Sequence, residues 1–453
     1  NLNDMKFKNI FFSLLGGMLI GACTPNEADV YLNPVKPADI KILELMADHE
    51  TLLPDGEAEM NFRIMAYGIK EIKVMKKYET SDSLSYTEVL DTLVYQIPDD
   101  ELPAGYLAVY DEQGNKVENN VFSTTRTDWD VLRFYAQGGD LKSNVLEIKR
   151  RDLPDPNEYQ EIVYPVIFHL LVPPANARPS YSISVEKLQE KLDRVNNIFN
   201  GLISKNPNGG NAKIVFKLAE YDQNGNLLAE KGKEVINLSS DMNKTAYEQF
   251  INTPGRIWDP NRYLNIFVAK YADGWTSTGA YTYIAVPPTV IQKGQEAIPG
   301  ITATEVESFT AADVTDYKDV AILLNYEGVL NVNSMEKNDA TELATIFGYY
   351  LGLKTMQYSE SYNWETGENE NNLIDGDTDF CPDTYFYDPL NNFTIFKTEK
   401  AEGKRYTSFN IMEGNSRKNS ITVDQARRMR MVTDRCPSRW SYKSNWAFNG
   451  KHD

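Results

Sequence analysis

Four residues between Thr345 and Thr355 stand at the spacing of a metal-activated hydrolytic centre, yet none has the side chain such a centre uses. Thr345 and Tyr349 lie four residues apart in the segment ELATIFGYYLGL, Glu342 to Leu353, so on a helix they share one face. Gly352 follows where a chain can turn sharply through a left-handed conformation, which would swing Thr355 back toward that face. Two imidazoles on one helical face and a third beyond a glycine turn can hold zinc, with a neighbouring carboxylate to move a proton. At these spacings the chain has Thr345, Tyr349 and Thr355, with Ile346 next to the first. Threonine and a neutral tyrosine are poor zinc ligands, and isoleucine moves no proton. The chain has three histidines, His49, His169 and His452, all far from this segment in sequence.

The elements that would position such a site are nevertheless written around it. Asp339 and Glu342 form an Asp-x-x-Glu start signal, Leu343, Phe347 and Tyr350 give a helical apolar stripe, and Gly352 marks the end. With these residues in place the segment resembles the active-site helix of metzincin peptidases, nearest the pappalysin-like branch, whose pattern is H-E-x-x-H-x-x-G-x-x-H. Laid on that pattern, Thr345, Tyr349 and Thr355 replace the three zinc ligands and Ile346 replaces the catalytic acid. The resemblance covers nearly all of the chain beyond residue 154. Tyr164 to Val172 is similar to the family's first core strand, and His169 on it reads as a satisfied core residue. Ser184 caps an expected helix with apolar positions Val185, Leu188, Leu192, Val195 and Phe199. Further strands are expected at Lys213 to Ala219, Tyr263 to Ala269 and Asp319 to Asn325. The stretch from Gly279 to Val286 reads as the edge strand lining a substrate cleft.

Downstream, Asn410, Ile411 and Met412 resemble the Met-turn, with Met412 as the hydrophobic floor of the site. Active relatives follow that methionine with an acid and a tyrosine; this chain has Glu413 and Gly414. Asp375, Asp377, Asp379 and Asp383 in the loop DGDTDFCPD resemble the family's acidic, cysteine-bearing loop. They are candidate calcium ligands, or simply a solvated acidic loop. Thr422 and Gln425 form a capping box for the following helix, and Cys436 after it is placed to form a disulfide with Cys381.

The N-terminus resembles a bacterial lipoprotein signal. Met5 reads as the start, with residues 1–4 upstream of it; Lys6 and Lys8, the apolar run Ile10 to Ile20, and Gly21 and Ala22 before Cys23 complete the pattern. Residues 1–22 are the expected signal peptide, Cys23 the lipidation site, and 23–36 a polar tether. From 37 to 154 short alternating runs, Ala58 to Ala66, Ile69 to Met75, Leu107 to Tyr110 and Asn144 to Lys149, are separated by turn signals. They predict an all-β, immunoglobulin-like sandwich without a catalytic cluster, in which His49 reads as a surface residue. The fold class is therefore multidomain, with this sandwich followed at 155–453 by an α+β metzincin-like (zincin) peptidase domain.

A net charge of −19 argues against nucleic acid as a partner. Three functional readings follow. The first is a lipid-anchored pseudopeptidase of the bacterial outer membrane, periplasm-facing or surface-exposed, that binds peptide or glycoprotein. Its lipoprotein type resembles Bacteroidetes proteins associated with TonB-dependent nutrient import, and it needs no cofactor: zinc is not expected, and calcium is the one candidate metal. The second is a zinc-dependent metallohydrolase with an unconventional site. The third is an adhesive or structural surface lipoprotein.

Overall fold

The computed structural model describes residues 35–80, 83–174, 181–203, 205–270, 283–330, 343–356, 360–363, 368–371, 379–387, 395–399, 403–413 and 418–451. Alternation of apolar and polar residues shapes its first half, because successive side chains of a strand face opposite ways. In β1 (Ile42–Ala47) Leu43 and Leu45 point inward. It pairs antiparallel with β3 (Met60–Thr80), which continues against β4 (Ser83–Gln96), while β6 (Val121–Phe122) joins β3 from the other side. A second sheet runs in the order β2 (Thr51–Leu52), β8 (Leu141–Arg150), β7 (Val131–Gly138), β5 (Ala108–Asp111). Leu45, Phe62 and Ile64 of one sheet share a core with Val109, Phe134 and Ile148 of the other. Each such side chain taken out of water contributes about 1.5–3 kcal/mol.

The runs at 58–66 and 69–75, expected as separate strands, are one strand of 21 residues. Gly68 between them does not break it. A Cβ at Gly68 would lie 2.5 Å from the Tyr95 ring, so the glycine makes room for a cross-strand tyrosine. Beyond Tyr67, where pairing with β1 ends, β3 and β4 form a two-stranded ribbon.

The second half is built on a largely parallel sheet ordered β10 (Ile214–Leu218), β9 (Ile162–Val172), β12 (Leu264–Ala269), β16 (Ala321–Asn325), β13 (Tyr283–Ile284), with β11 (Lys233–Asn237) also pairing β9. Consecutive residues of β9 are buried because both faces of the sheet are covered. One face carries α1 (Val185–Phe199), capped by the Ser184 hydroxyl at the Lys187 N–H, together with α3 (Leu343–Tyr350). The other carries α2 (Lys244–Ile251), whose Tyr247 and Ile251 pack on Phe267 and Leu323. Strand β13 is antiparallel to β16 and closes one end of this sheet order. Two small pairs, β14 (Val290–Gln292) with β15 (Thr304–Val306) and β17 (Glu360–Asn363) with β18 (Glu368–Asn371), lie outside it. The chain ends with α4 (Val423–Arg435), opened by the Thr422 and Gln425 capping box, and α5 (Trp446–Asn449).

The two halves are stitched together by strands that cross the expected division at 154. Strand β19 (Phe396–Thr398) pairs with β20 (Arg405–Thr407), and β20 joins β1 through Ala47 and Tyr406. Arg151 forms ion pairs with Asp383 at 2.9 Å and Asp424 at 2.8 Å. Among the described residues no helix is long and apolar enough to cross a membrane. The expected signal segment, Cys23 and nearly all of the tether lie outside the described residues.

Candidate functional site

Helix α3 ends by a mechanism its glycine makes available. Gly352 has φ +84°, the Leu353 N–H donates to the Gly348 carbonyl at 2.8 Å, and the Gly352 N–H donates to Tyr349 at 2.9 Å. This pair of bonds is the Schellman closure, which needs a left-handed residue and so favours glycine. A second glycine sets the distance to the layer below. A Cβ at Gly348 would lie 3.0 Å from the Met412 sulfur and 3.4 Å from Ile411, so Met412 lies against the helix. The expected start signal at Asp339 and Glu342 falls outside the described residues.

On this scaffold the four key positions have other uses. Thr345 is 4% exposed, and its hydroxyl donates to the Ile411 carbonyl at 2.7 Å. The Lys418 ammonium donates to the same hydroxyl at 3.3 Å. Ile346 is fully buried in the core beneath the sheet. Tyr349 is half-buried, stacks on Tyr283 of β13 with centroids 6.0 Å apart, and interacts through hydrogen bonds with Thr355 and Tyr283. Burial dominates over those bonds and raises the Tyr349 phenol above its ordinary value, so it stays neutral. Tyr349 and Thr355, at the second and third ligand places, are therefore brought together, but with each other as partners.

These residues do not fit zinc. The oxygen at the first place already donates to a carbonyl and accepts from an ammonium, and a fixed positive charge there opposes a dication. The second place offers a neutral phenol, a poor substitute for imidazole or thiolate. Lys418 had no sequence signal: it lies far along the chain and meets Thr345 only through the fold.

The other candidates are scattered. His169 is buried, with Nδ1 2.5 Å from Glu234 and Nε2 2.9 Å from Asn265, as a core histidine should be. His49 corrects the sequence reading: instead of lying at the surface it is half-buried and stacks on Tyr385 at 4.4 Å. Strand β20 brings Tyr406 beside Ala47 of β1, and Tyr385, which meets Tyr406 edge-on, covers the His49 ring. His452 lies outside the described residues.

Of the four acidic candidates for calcium, Asp375 and Asp377 lie outside the described residues. Asp379 accepts from the Cys381 N–H and the Thr384 hydroxyl. Asp383 accepts from the Thr422 hydroxyl at 2.6 Å and the Asp424 N–H at 3.0 Å, and so supports the start of α4. Both carboxylates thus have internal partners. Among the described residues no group of three or more acidic, histidine or cysteine side chains is placed to hold a metal.

The disulfide expected between Cys381 and Cys436 is not formed; both thiols are free and buried. Each has its own surroundings. Cys381 lies beside Asp379, donating toward its carbonyl, whereas Cys436 packs with Ile291, Ile298 and Val432. Burial pushes the Cys436 thiol up to about 11 and the Cys381 thiol higher still, so neither is a thiolate near neutral pH.

No protein-family model matches this chain, and no curated protein matches it in sequence. Among solved structures, Tannerella forsythia mature mirolysin in complex with a cleaved peptide aligns at 18% identity and a TM-score of 0.40, covering 64% of this chain and 97% of that one. Mirolysin in complex with compound 9 aligns at 17% identity and 0.42, covering 64% of this chain and 98% of that one.

Proposed function

We propose that this chain is a non-catalytic pseudopeptidase of the metzincin type that binds extended peptide or glycoprotein beside β13. The observation that carries this reading is the Thr345 environment: the first ligand place is buried, hydrogen-bonded to a backbone carbonyl and capped by the Lys418 ammonium. A site rebuilt in this way has lost its metal chemistry while keeping its helix, its glycine turn and its methionine floor. Binding at a sheet edge needs none of what was lost, because main-chain hydrogen bonds and side-chain pockets supply it. In this reading the N-terminal sandwich, immunoglobulin-like in class, is a spacer. A lipid anchor at Cys23 holds the protein on the outer membrane near TonB-dependent import components, and any calcium would rely on Asp375 and Asp377.

A second reading, an adhesive or structural lipoprotein, draws support from the Tyr283 and Tyr349 stack, which places an aromatic pair between the helix and β13. Peptide binding separates the two. Fluorescence anisotropy of labelled casein peptides, in buffer containing zinc, is expected to show saturable binding to the full chain without cleavage. Tyr349→Ala, which removes one ring of the stack, should change the affinity by about fivefold or more. Absence of binding by every peptide would leave the adhesive reading standing; cleavage would defeat both.

A further inference from the structure

A cavity of about 240 Å³ lies between the two halves, lined by His49 and Asn61 on one side and by Tyr385, Phe409, Glu413 and Asn419 on the other. Thr345, Tyr349 and Thr355 do not line it, so it is distinct from the degenerate zinc-type site. Its walls hold polar atoms that the fold has buried and left unsatisfied. Among the described residues neither carboxylate oxygen of Glu413, itself 1% exposed, meets a hydrogen-bond partner, and the Asn419 side-chain oxygen meets none either. Ser408 faces Glu413 but falls outside hydrogen-bonding geometry. His49 Nδ1 meets the Thr51 backbone N–H at 3.2 Å and the Thr51 hydroxyl at 3.1 Å, while its Nε2 is unpartnered as well.

Buried polar groups without partners each cost stability, so three oxygens and one imidazole nitrogen in one cavity call for a ligand that both gives and takes hydrogen bonds, as a hydroxyl does. The charges argue for a neutral one. Lys205 pairs with Glu59 at 2.6 Å, Arg151 pairs with Asp383, and Asp48 accepts from Asn61 and Thr407. Glu413 already lies in the field of Lys397 and Lys418. The walls are also aromatic: His49 stacks on Tyr385, and Tyr406 meets Tyr385 edge-on at 5.0 Å. The volume is just below the ~300 Å³ at which small-molecule pockets usually begin, which suits one ring and excludes an oligomer.

We propose that this cavity binds a small, uncharged, polyhydroxylated ligand, a single sugar ring whose hydroxyls complete the bonds of His49, Glu413 and Asn419. The ring is either a free monosaccharide or the end of a glycan. Saturation-transfer NMR on the full chain tests this with glucose, galactose, mannose, fucose and N-acetylglucosamine, their methyl glycosides, and ethylammonium as a cationic control. Transfer to at least one sugar and none to ethylammonium is expected. Binding of the methyl glycoside as well as the free sugar assigns a glycan end; binding of the free sugar alone assigns a monosaccharide. His49→Phe, which keeps the stack and removes the ring nitrogens, and Glu413→Gln should each weaken binding about fivefold or more, with the far-ultraviolet circular dichroism unchanged. Transfer to no sugar, binding of ethylammonium in their place, or sugar binding unchanged in both variants overturns the proposal. The wild-type result alone decides if either variant fails to fold.

Discussion

Replacing Arg439 by methionine is expected to destabilise the protein by roughly 3–5 kcal/mol, the largest effect of any single substitution argued here. Arg439 is fully buried and makes its bonds to backbone carbonyls: Nε to Tyr350 at 2.9 Å, and the terminal nitrogens to Asp319 at 2.5 Å and Val286 at 3.0 Å. Its guanidinium also lies 3.7 Å over the Tyr350 ring. The one side chain therefore ties the end of α3, the approach to β16 and the exit from β13. Methionine matches the length of the stem and fills much of the space, so the loss isolates the donors. The buried Tyr350 carbonyl and the part-buried carbonyls of Asp319 and Val286 would each lose a donor, and a buried acceptor left unmade costs more than the bond that satisfied it. Chemical denaturation reads the change; a loss below about 1 kcal/mol would show that water replaces the guanidinium at little cost.

Substitution of Glu413 by glutamine is expected to change how stability depends on pH. Burial pushes the Glu413 carboxyl up to about 7 from 4.5, against the pull of the Lys397 and Lys418 ammonium groups. A carboxyl whose folded pKa is raised favours folding fully below its unfolded value, and that contribution is lost as pH rises through the folded one. Wild-type stability should therefore fall between pH 4.5 and about 7, with this group responsible for a loss on the order of 2 kcal/mol. Glu413→Gln removes that part of the slope and is more stable than wild type at pH 7.5. Asp48 and Asp383 are raised in the same direction, so a residual slope persists in the variant. Burial lowers Lys397 while the charge of Glu413 raises it, so the two titrate as a pair and Lys397 falls further below its ordinary value in the variant. Denaturation midpoints from pH 4.5 to 8 measure this, and parallel curves for the two proteins would contradict it.

The parts of the fold governed by local rules were legible in the sequence. The Ser184 and Thr422 caps, the buried run of β9 and the Gly352 stop all depend on residues within a turn or two of one another, and the structure forms each of them. What depended on distant contacts was not. The runs at 58–66 and 69–75 read as two strands, because what Gly68 accommodates, the Tyr95 ring, lies on the neighbouring strand. The pairing of β20 with β1 joins residues far apart along the chain, and His49 is covered as a result. The position of Cys436 after a capped helix says nothing about its direction or packing relative to Cys381, and the structure places the two thiols in different surroundings. At the candidate site the sequence indicated what was missing, namely imidazoles and a carboxylate. It could not indicate the replacement, because Lys418 reaches Thr345 only across the folded core.

The most direct test of the proposed function, in which Thr345, Tyr349 and Thr355 hold internal hydrogen bonds and no metal, is the zinc content of the full chain. The purified protein is exchanged into metal-free buffer, given excess zinc, exchanged again and measured by elemental analysis. Occupancy near zero is the predicted result. One tightly held zinc ion per chain, lost on Tyr349→Phe or Thr355→Val, would contradict it and make peptide hydrolysis the activity to assay.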